Sequence, residues 1–222
     1  MEKFDLLVKV LSDLQDAGIL KHLVLVGSWC QDFYRYQFGN PPQIPATKTM
    51  DADILIPKRM PKINPPVDIV DIMKKNDFIF EIGPQSGLYK FNHPMLKVEF
   101  LTDPGAKPSE ETRHFEQLNV SAQELHFMSL PLWYNYPLTY KHLTFNIPEP
   151  EAFALHKLIV CRRRINKEKA EKDRLTAQGM FFFIQTDPKR VERLHQIIGE
   201  ISKGWRKRIN AALENTGMEL PK

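Results

Sequence analysis

Three carboxylates lie in two short segments that alternate between polar and apolar residues. Asp51 and Asp53 begin the segment 51–56, and Glu99 lies within 96–101. In a β-strand, side chains at positions i and i+2 point to the same face, about 6.6 Å apart along the chain. We therefore expect the two aspartates to project together, with Glu99 beside them if its strand pairs with theirs. Three such carboxylates would hold Mg²⁺ or Mn²⁺, which prefer oxygen ligands and can align the oxygens of a phosphoryl transfer.

A glycine at the end of an apolar segment is the second chemical feature. Residues 23–26 are apolar, Gly27 and Ser28 follow, and the pattern is then helical to residue 38. Glycine lets a phosphate approach the backbone, and the start of a helix offers free N–H groups and the positive end of its dipole. A glycine followed by a serine is also typical of an ordinary turn between a strand and a helix. The pair therefore indicates a phosphate site only together with the acidic residues that follow it.

These residues must be positioned by a sheet with helices around it, as the hydrophobic patterns predict. Before residue 150 the predicted helices are 4–14, 28–38 and 67–76. The predicted strands are 23–26, 51–56, 78–82, 88–91 and 96–101. Residues 83–87 connect two of these strands as a hairpin loop, and 118–147 is typical of short strands interrupted by prolines.

The pattern becomes helical after residue 150. Helices are predicted over 151–165, 169–186 and 189–215, the last with Asp187 as its N-cap and Pro188 at its first position. The sequence therefore predicts an α+β protein. A mixed β-sheet backed by helices would occupy residues 1–148, and a helical C-terminal domain would occupy 149–222.

Composition and charge limit the classes of function. Of 222 residues, 42% are hydrophobic and 26% are charged, which is typical of a folded domain rather than a disordered chain. The net charge is +4, but residues 157–208 hold 15 Lys and Arg against 6 Asp and Glu, a net charge of +9. Such a segment is compatible with solvated helix faces and with a surface that meets the phosphates of a nucleotide or nucleic acid.

Membrane, secretory and redox signals are weak in this sequence. No apolar run approaches the roughly 18 residues of a membrane span. The N-terminal segment mixes acidic and apolar residues instead of forming a signal-peptide core, so we expect a cytoplasmic protein without membrane contact. Cys30 and Cys161 have no metal-binding spacing, and the glycine-rich motifs of Rossmann and P-loop proteins are missing from the sequence.

The ordered motifs resemble those of a known superfamily. They are Gly27-Ser28, Lys48-Thr49-Met50-Asp51-Ala52-Asp53 and Val98-Glu99-Phe100-Leu101-Thr102. The set resembles the nucleotidyltransferase superfamily with the DNA-polymerase-β-type palm. It is similar to a bacterial branch of stand-alone nucleotidyltransferase-like proteins, in which a basic residue and Thr precede the paired acids. That branch also has a later Pro-x-x-Phe-Ala-x-x-Lys segment, which is 150–157 in this chain.

The resemblance implies a nucleotidyltransferase-type mixed sheet followed by helices, and a metal-dependent transfer of NMP from an NTP with release of pyrophosphate. It implies that Asp51, Asp53 and Glu99 are catalytic and hold the metal ions. The nucleotide would be bound by Gly27, Ser28, Lys48, Thr49 and Lys157. The acceptor stays open among RNA ends, a protein hydroxyl and a small molecule.

Two other classes of function are compatible with the same sequence. One is a catalytically silent nucleotide- or metal-binding protein, such as a component of a toxin–antitoxin pair. The other is an RNA-binding module that uses the basic C-terminal helices, with nucleic-acid contact through residues 157–208. Binding of NTP without turnover would favour the first, and binding of nucleic acid that weakens steeply with salt would favour the second.

Overall fold

The computed structural model describes residues 2–46, 49–105 and 111–222. The α-helices are α1 (Lys3–Asp16), α2 (Cys30–Gln37), α3 (Ile69–Lys75), α4 (Ser129–Trp133), α5 (Pro150–Cys161), α6 (Lys167–Gln185), α7 (Pro188–Glu200) and α8 (Lys203–Thr216). The strands are β1 (Val24–Val26), β2 (Asp51–Ile56), β3 (Ile79–Ile82), β4 (Tyr89–Asn92), β5 (Lys97–Thr102), β6 (Thr112–Phe115), β7 (Val120–Glu124), β8 (Asn135–Tyr140) and β9 (Leu143–Pro148). The protein is therefore α+β with helices at its C-terminal end, as the sequence predicts.

The chain divides into two compact units. One contains Met1–Cys30 and Thr47–Ile147, and the other contains Gln31–Ala46 and Pro148–Lys222. The sequence-based division has a single boundary after residue 148, whereas the structure groups residues 31–46 with the C-terminal helices. The reason is visible inside the second unit, where the ring of Phe38 lies 5.1 Å from that of Phe183 and Gly179 of α6 lies directly against the carbonyl oxygen of Gln43.

The first unit is built on a mixed sheet. Among the described residues its order is β3-β4-β5-β2-β1-β9-β8, with β7 beside β5 and β6 beside β7. β2 and β5 run parallel, and β1 is antiparallel to β2. The segments 51–56 and 96–101 do pair, which meets the condition under which Glu99 would lie beside the aspartates. The predicted hairpin is confirmed as β3 and β4.

Amphipathic α1 covers part of this unit. Its buried residues recur at helical spacing and are Leu6, Leu7, Val10, Leu11 and Leu14. A reciprocal capping box of Glu2 and Asp5 satisfies the free N–H groups at its start. Gly18, with a φ of +75°, follows its end, where a left-handed residue commonly terminates a helix.

The helices of the second unit differ from the prediction at two points. α5 ends at Cys161, not at 165, and the predicted helix 189–215 is two helices, α7 and α8. Ile201 and Ser202 are extended at the break, so that Ile201 is buried while Ser202 becomes the N-cap of α8. Arg206 donates a hydrogen bond to the carbonyl of Gly199 and so satisfies an acceptor at the end of α7.

The helices of the described residues include none with an apolar stretch long enough to cross a membrane.

Candidate functional site

The parallel pairing of β2 and β5 places two of the predicted carboxylates side by side. Asp53 is the direct register partner of Glu99. Because side chains alternate along a strand, Asp51 lies on the same face of the sheet, two residues away from Asp53. Its own register partner on β5 is Lys97. The structure therefore groups all three acids on one face, with Asp53 and Glu99 as the closest pair by register.

Burial explains why the acids project from a rigid support. The opposite face of both strands is buried at Ala52, Ile54, Val98 and Phe100. On the acidic face itself, the carboxyl-terminal halves of the strands are covered by an apolar cluster. Its buried members are Val24, Val26, Leu55, Leu101 and Met128. The strands are thus buried on both faces just beyond the acids, which restricts the movement of the backbone that carries them.

Gly27 forms a corner directly beside Asp53. The pairing of Val26 with Asp53 brings the end of β1 to this point. Gly27 has a φ of +74°, a left-handed conformation that favours glycine. A Cβ atom placed on it would lie only 2.1 Å from Oδ2 of Asp53. The sequence predicts a glycine at this turn but does not predict its contact with Asp53. That contact requires a residue without a side chain at position 27.

The residues around the corner are held by local contacts. Ser28 lies in the turn between β1 and α2, and the following Trp29 is buried with its ring 6.0 Å from that of Phe4 on α1. Before β2, Oγ1 of Thr49 accepts a hydrogen bond of 3.2 Å from the backbone N–H of Asp51. Thr49 thus helps to fix the start of the acidic strand. Lys48, the other residue predicted in this segment, lies outside the described residues.

Charged residues of both signs lie in one row across the sheet at this level. Lys90 on β4 is the register partner of Glu99, and Glu81 on β3 is the partner of Lys90. Glu99 therefore has a cation on one side and the carboxylate of Asp53 on the other. Like charges that lie directly opposite each other in a sheet are destabilising. Sequence reasoning missed Lys90, since only the register of β4 and β5 reveals it.

The carboxylates of Asp53 and Glu99 fit a magnesium-type ion whose remaining ligands come from substrate phosphates and water. No three His, Cys, Asp or Glu side chains of the described residues form a ready-made metal cluster. Mg²⁺ is commonly held by one or two carboxylates together with substrate phosphates and water. The carboxylates of the paired residues Asp53 and Glu99 match that pattern, and Gly27 admits the carboxylate of Asp53 at a position that a side chain would otherwise fill.

Lys157 belongs to an ion-pair cluster within the second unit. Its Nζ lies 2.6 Å from Oδ1 of Asp173 on α6, and Nε of Arg164 lies 2.9 Å from the other oxygen of Asp173. The side chain of Lys157 is only 6% exposed. Burial raises the pKa of Asp173, but the charges and hydrogen bonds of Lys157 and Arg164 outweigh it, so that this pKa lies below its usual value. The assignment of Lys157 as a nucleotide ligand stays a prediction.

His156 adjoins this cluster, and the sequence did not predict it as a functional residue. Its Nε2 is shielded from solvent and has no hydrogen-bond partner among the described residues. Burial first, and the charge of Lys157 second, lower the pKa of His156 to about 3. The imidazole is therefore neutral at physiological pH. The position of His156 next to Lys157 is the only feature of the sequence that could have suggested a buried, neutral imidazole here.

Comparisons with known proteins identify the class. A family model described as Nucleotidyltransferase matches residues 5–195, and the chain belongs to that family. It is accordingly an enzyme of the class that transfers nucleoside monophosphate groups. A comparison with curated proteins gives no match.

Two solved structures are similar to the chain in fold. The antibiotic-resistance factor ANT(2'')-Ia, studied in solution, is 13% identical over 98% of each chain, with a TM-score of 0.45. An antigenic nucleotidyltransferase-like protein from Paracoccidioides brasiliensis is 11% identical, with a TM-score of 0.46. That match covers 94% of this chain and 91% of the other.

Proposed function

We propose that this protein transfers NMP from an NTP to an acceptor hydroxyl and releases pyrophosphate, with Mg²⁺ or Mn²⁺ as cofactor. The single observation that supports the proposal is the position of Asp53. Its carboxylate lies between the Gly27 corner and the opposed carboxylate of Glu99. This arrangement offers oxygen ligands for a cation next to a backbone that a phosphate can approach closely.

The roles of the residues follow from their places around Asp53. Asp53 and Glu99 would hold the divalent ion, and Asp51 would be a further ligand on the same face. When bound, such an ion neutralises charge on the phosphate oxygens and favours the ionised form of the attacking hydroxyl. Gly27 and Ser28 would bind the triphosphate through their turn, and Thr49 would position β2 through Asp51. Lys48 is proposed as a further nucleotide ligand.

The reaction forms a bond between the acceptor oxygen and the α-phosphorus and breaks the bond from that phosphorus to the bridging oxygen of pyrophosphate. The acceptor hydroxyl loses its proton, for which Glu99 is the proposed carboxylate acceptor on this face. Little covalent chemistry falls to the protein in such a transfer, because alignment and charge neutralisation dominate. The fixed backbone of β2 and β5 suits that task, since both strands are buried beyond the acids.

The test combines a transfer assay with a binding measurement. The protein is incubated with each α-labelled NTP, Mg²⁺ or Mn²⁺ and fractionated cell lysate, and both labelled acceptor and released pyrophosphate are measured. Asp53→Asn should abolish transfer and also remove the rise in melting temperature that metal and NTP together cause. Glu81→Gln is the matched control, because Glu81 lies two strands from Glu99 in the same row.

Each outcome separates the possible functions. Loss of transfer in Asp53→Asn with full transfer in Glu81→Gln supports the proposed site. Undiminished transfer in Asp53→Asn contradicts it. A melting-temperature rise in the wild type without any labelled acceptor or pyrophosphate would favour the catalytically silent nucleotide-binding protein.

A further inference from the structure

Two lysines share the acidic face of the sheet with the carboxylates. Lys90 on β4 is the register partner of Glu99, and Lys97 on β5 is the register partner of Asp51. Residues paired in register lie on one face of a sheet, as do residues two apart on one strand, such as Lys97 and Glu99. Both lysines are exposed. They therefore form a cationic pair, Lys90 and Lys97, at the accessible surface beside Glu99.

Neither lysine of this pair is used in an ion pair. Within the part of the chain that the structure describes, no carboxylate oxygen lies within 4.0 Å of either ammonium group. Glu81, the other neighbour of Lys90 in its row, accepts a hydrogen bond of 3.3 Å from Nδ2 of Asn92 instead. The two ammonium groups are thus available to a ligand.

The order of the strands places the lysine pair on the acceptor side of the proposed transfer. β1, β2, β5 and β4 are neighbours in that order. The corner at Gly27 therefore lies on one side of Asp53, and Glu99 lies on the other. In a phosphoryl transfer the attacking and leaving oxygens are roughly in line, on opposite sides of the phosphorus. With pyrophosphate toward Gly27, the attacking hydroxyl comes from the side of Glu99, and Lys90 lies one strand further on, at a spacing of about 4.8 Å.

Two ammonium groups at this position favour an anionic acceptor. A divalent ion would neutralise charge on the carboxylates, so that the lysines determine the sign of the potential on the β4 side. Lysine is a compact positive charge with three donors and binds phosphate oxygens readily. An acceptor that carries amino groups would be repelled by both lysines, and repulsion of this kind is a common source of specificity. A phosphate beside the acceptor hydroxyl would be attracted by both.

We propose that Lys90 and Lys97 bind a phosphate group of the acceptor, so that the acceptor is a phosphate-bearing compound with a nearby hydroxyl. This inference rests on the proposed transfer reaction and names its acceptor class. The phosphate can be a monoester of a small molecule or the phosphodiester next to the 3′ hydroxyl of a nucleic acid. The shared chemistry is the phosphate, and the experiment distinguishes its two sources.

The first test measures binding of phosphate probes to the full chain by NMR titration, with Mg²⁺ and without NTP. The probes are glycerol 3-phosphate and an RNA trinucleotide with hydroxyl groups at both ends, and glycerol is the neutral comparison. Tighter binding of glycerol 3-phosphate assigns the site to a monoester, and tighter binding of the trinucleotide assigns it to a nucleic acid. Lys90→Ala combined with Lys97→Ala should weaken binding of the preferred probe by at least about tenfold. If that probe is the trinucleotide, the slope of log affinity against log salt should fall by about 1.4, or about 0.7 for each lost contact.

Three variants serve as controls for this binding test. Lys9→Ala with Lys75→Ala removes the same charge from exposed positions of α1 and α3 in the same unit, and it should bind as the wild type does. Lys90→Arg with Lys97→Arg keeps charge and donors and should restore binding. Asp53→Asn should keep the lysine-dependent binding while it loses transfer. Lysine-dependent binding in a wild type that transfers no NMP would therefore contradict the transfer reaction and leave the phosphate site standing.

The second test uses the acceptor that becomes labelled in the lysate assay. The double alanine variant of Lys90 and Lys97 should raise the KM for this acceptor by at least about tenfold and leave the KM for NTP unchanged, because only acceptor binding loses contacts. If the lysines served only to balance the charge of Glu99, the Mg²⁺ requirement would change instead, and the KM for the acceptor would not.

Four results would overturn the inference. They are an absence of binding of both phosphate probes to the wild type, equal binding of glycerol, an equal loss of affinity in the variant of Lys9 and Lys75, and a labelled acceptor that carries no phosphate. Transfer by the wild type together with any of these results would contradict the acceptor class alone and leave the proposed reaction intact.

Discussion

Replacing Gly27 by alanine tests whether the corner beside Asp53 is required for catalysis. The new Cβ would lie 2.1 Å from Oδ2 of Asp53, about 1.3 Å closer than an ordinary contact of 3.4 Å. The same Cβ would lie 3.3 Å from Cβ of Asp53, so that rotation of the carboxylate alone does not remove the crowding. The backbone of β2 is held by β1 on one side and β5 on the other. We therefore expect the carboxylate of Asp53 to be displaced.

The expected effect has two parts of different origin. A non-glycine residue in the left-handed region costs about 1–2 kcal/mol, which lowers the melting temperature of a chain of this length by about 2–8 °C. Displacement of a metal-binding carboxylate by about 1 Å can lower the rate by about a hundredfold. Stability should thus fall modestly, whereas NMP transfer should be nearly lost.

Gly18→Ala separates the two parts. Gly18 has a φ of +75°, and a Cβ placed on it would have no neighbour within 4 Å. This variant carries the same backbone strain without the contact to Asp53, so its melting temperature should fall by a similar amount while its transfer rate per folded molecule is kept. Transfer by Gly27→Ala at the rate of Gly18→Ala would refute the assignment of Asp53 and its corner.

Two predictions concern the ion-pair cluster of the second unit, and both are checked by chemical denaturation at a series of pH values. The pKa of Asp173 is lowered, so its stabilising effect is full above its unfolded value of 3.8 and is lost as the pH falls through the lower folded value. Asp173→Asn should cost about 3–5 kcal/mol at pH 7, because the buried Lys157 loses its carboxylate and the exposed Arg164 loses the same partner. It should also remove that acid-dependent loss, and an unchanged fall of stability in acid would contradict this. The pKa of His156 is lowered from 6.5 to about 3 in the folded protein. As the pH decreases below 6.5, the unfolded state therefore binds a proton that the folded state does not. The free energy of unfolding should fall for this reason, by about 2 kcal/mol at pH 5. His156→Leu should lack this part of the pH dependence, and an unaltered profile between pH 5 and 7 would show that His156 does not cause it.

The elements of the site were predictable because their patterns are local. Alternation of acidic and apolar residues gives β2 its observed bounds, Asp51–Ile56, and the same pattern locates β5 to within one residue. The pairing of β2 with β5 could be stated only as a condition, since parallel strands are joined by long connections whose course the sequence does not specify. Once the strands pair in the observed register, Asp53 and Glu99 necessarily become neighbours.

Features that depend on contacts between distant segments could not be predicted. The contact of Gly27 with Asp53 depends on the register of β1, and the place of Lys90 depends on the register of β4. The break before α8 is another example, because helical periodicity continues through the extended residue Ile201 and only its burial marks the change.

Lys157 shows how one motif can have two physical roles. Its motif resembles a nucleotide-contacting segment, yet its ammonium group lies 2.6 Å from Asp173 and is almost fully buried. A buried ion pair that loses one partner is strongly destabilising, because the remaining charge is left in a poorly solvated site. Arg164 would still contact Asp173. We therefore expect Lys157→Met to lower the free energy of unfolding by about 3 kcal/mol, the lower end for a buried pair.

Kinetics distinguish this role from a contact with the nucleotide. If Lys157 serves the ion pair, the folded fraction of Lys157→Met should keep the wild-type KM for NTP. The loss of stability in the double variant with Asp173→Asn should then be smaller than the sum of the single losses, since both changes remove the same interaction. A raised KM with unchanged unfolding free energy would instead support contact with the β- and γ-phosphates. Lys157 would then have to leave Asp173 when the nucleotide binds, at a cost that the phosphate contact must offset.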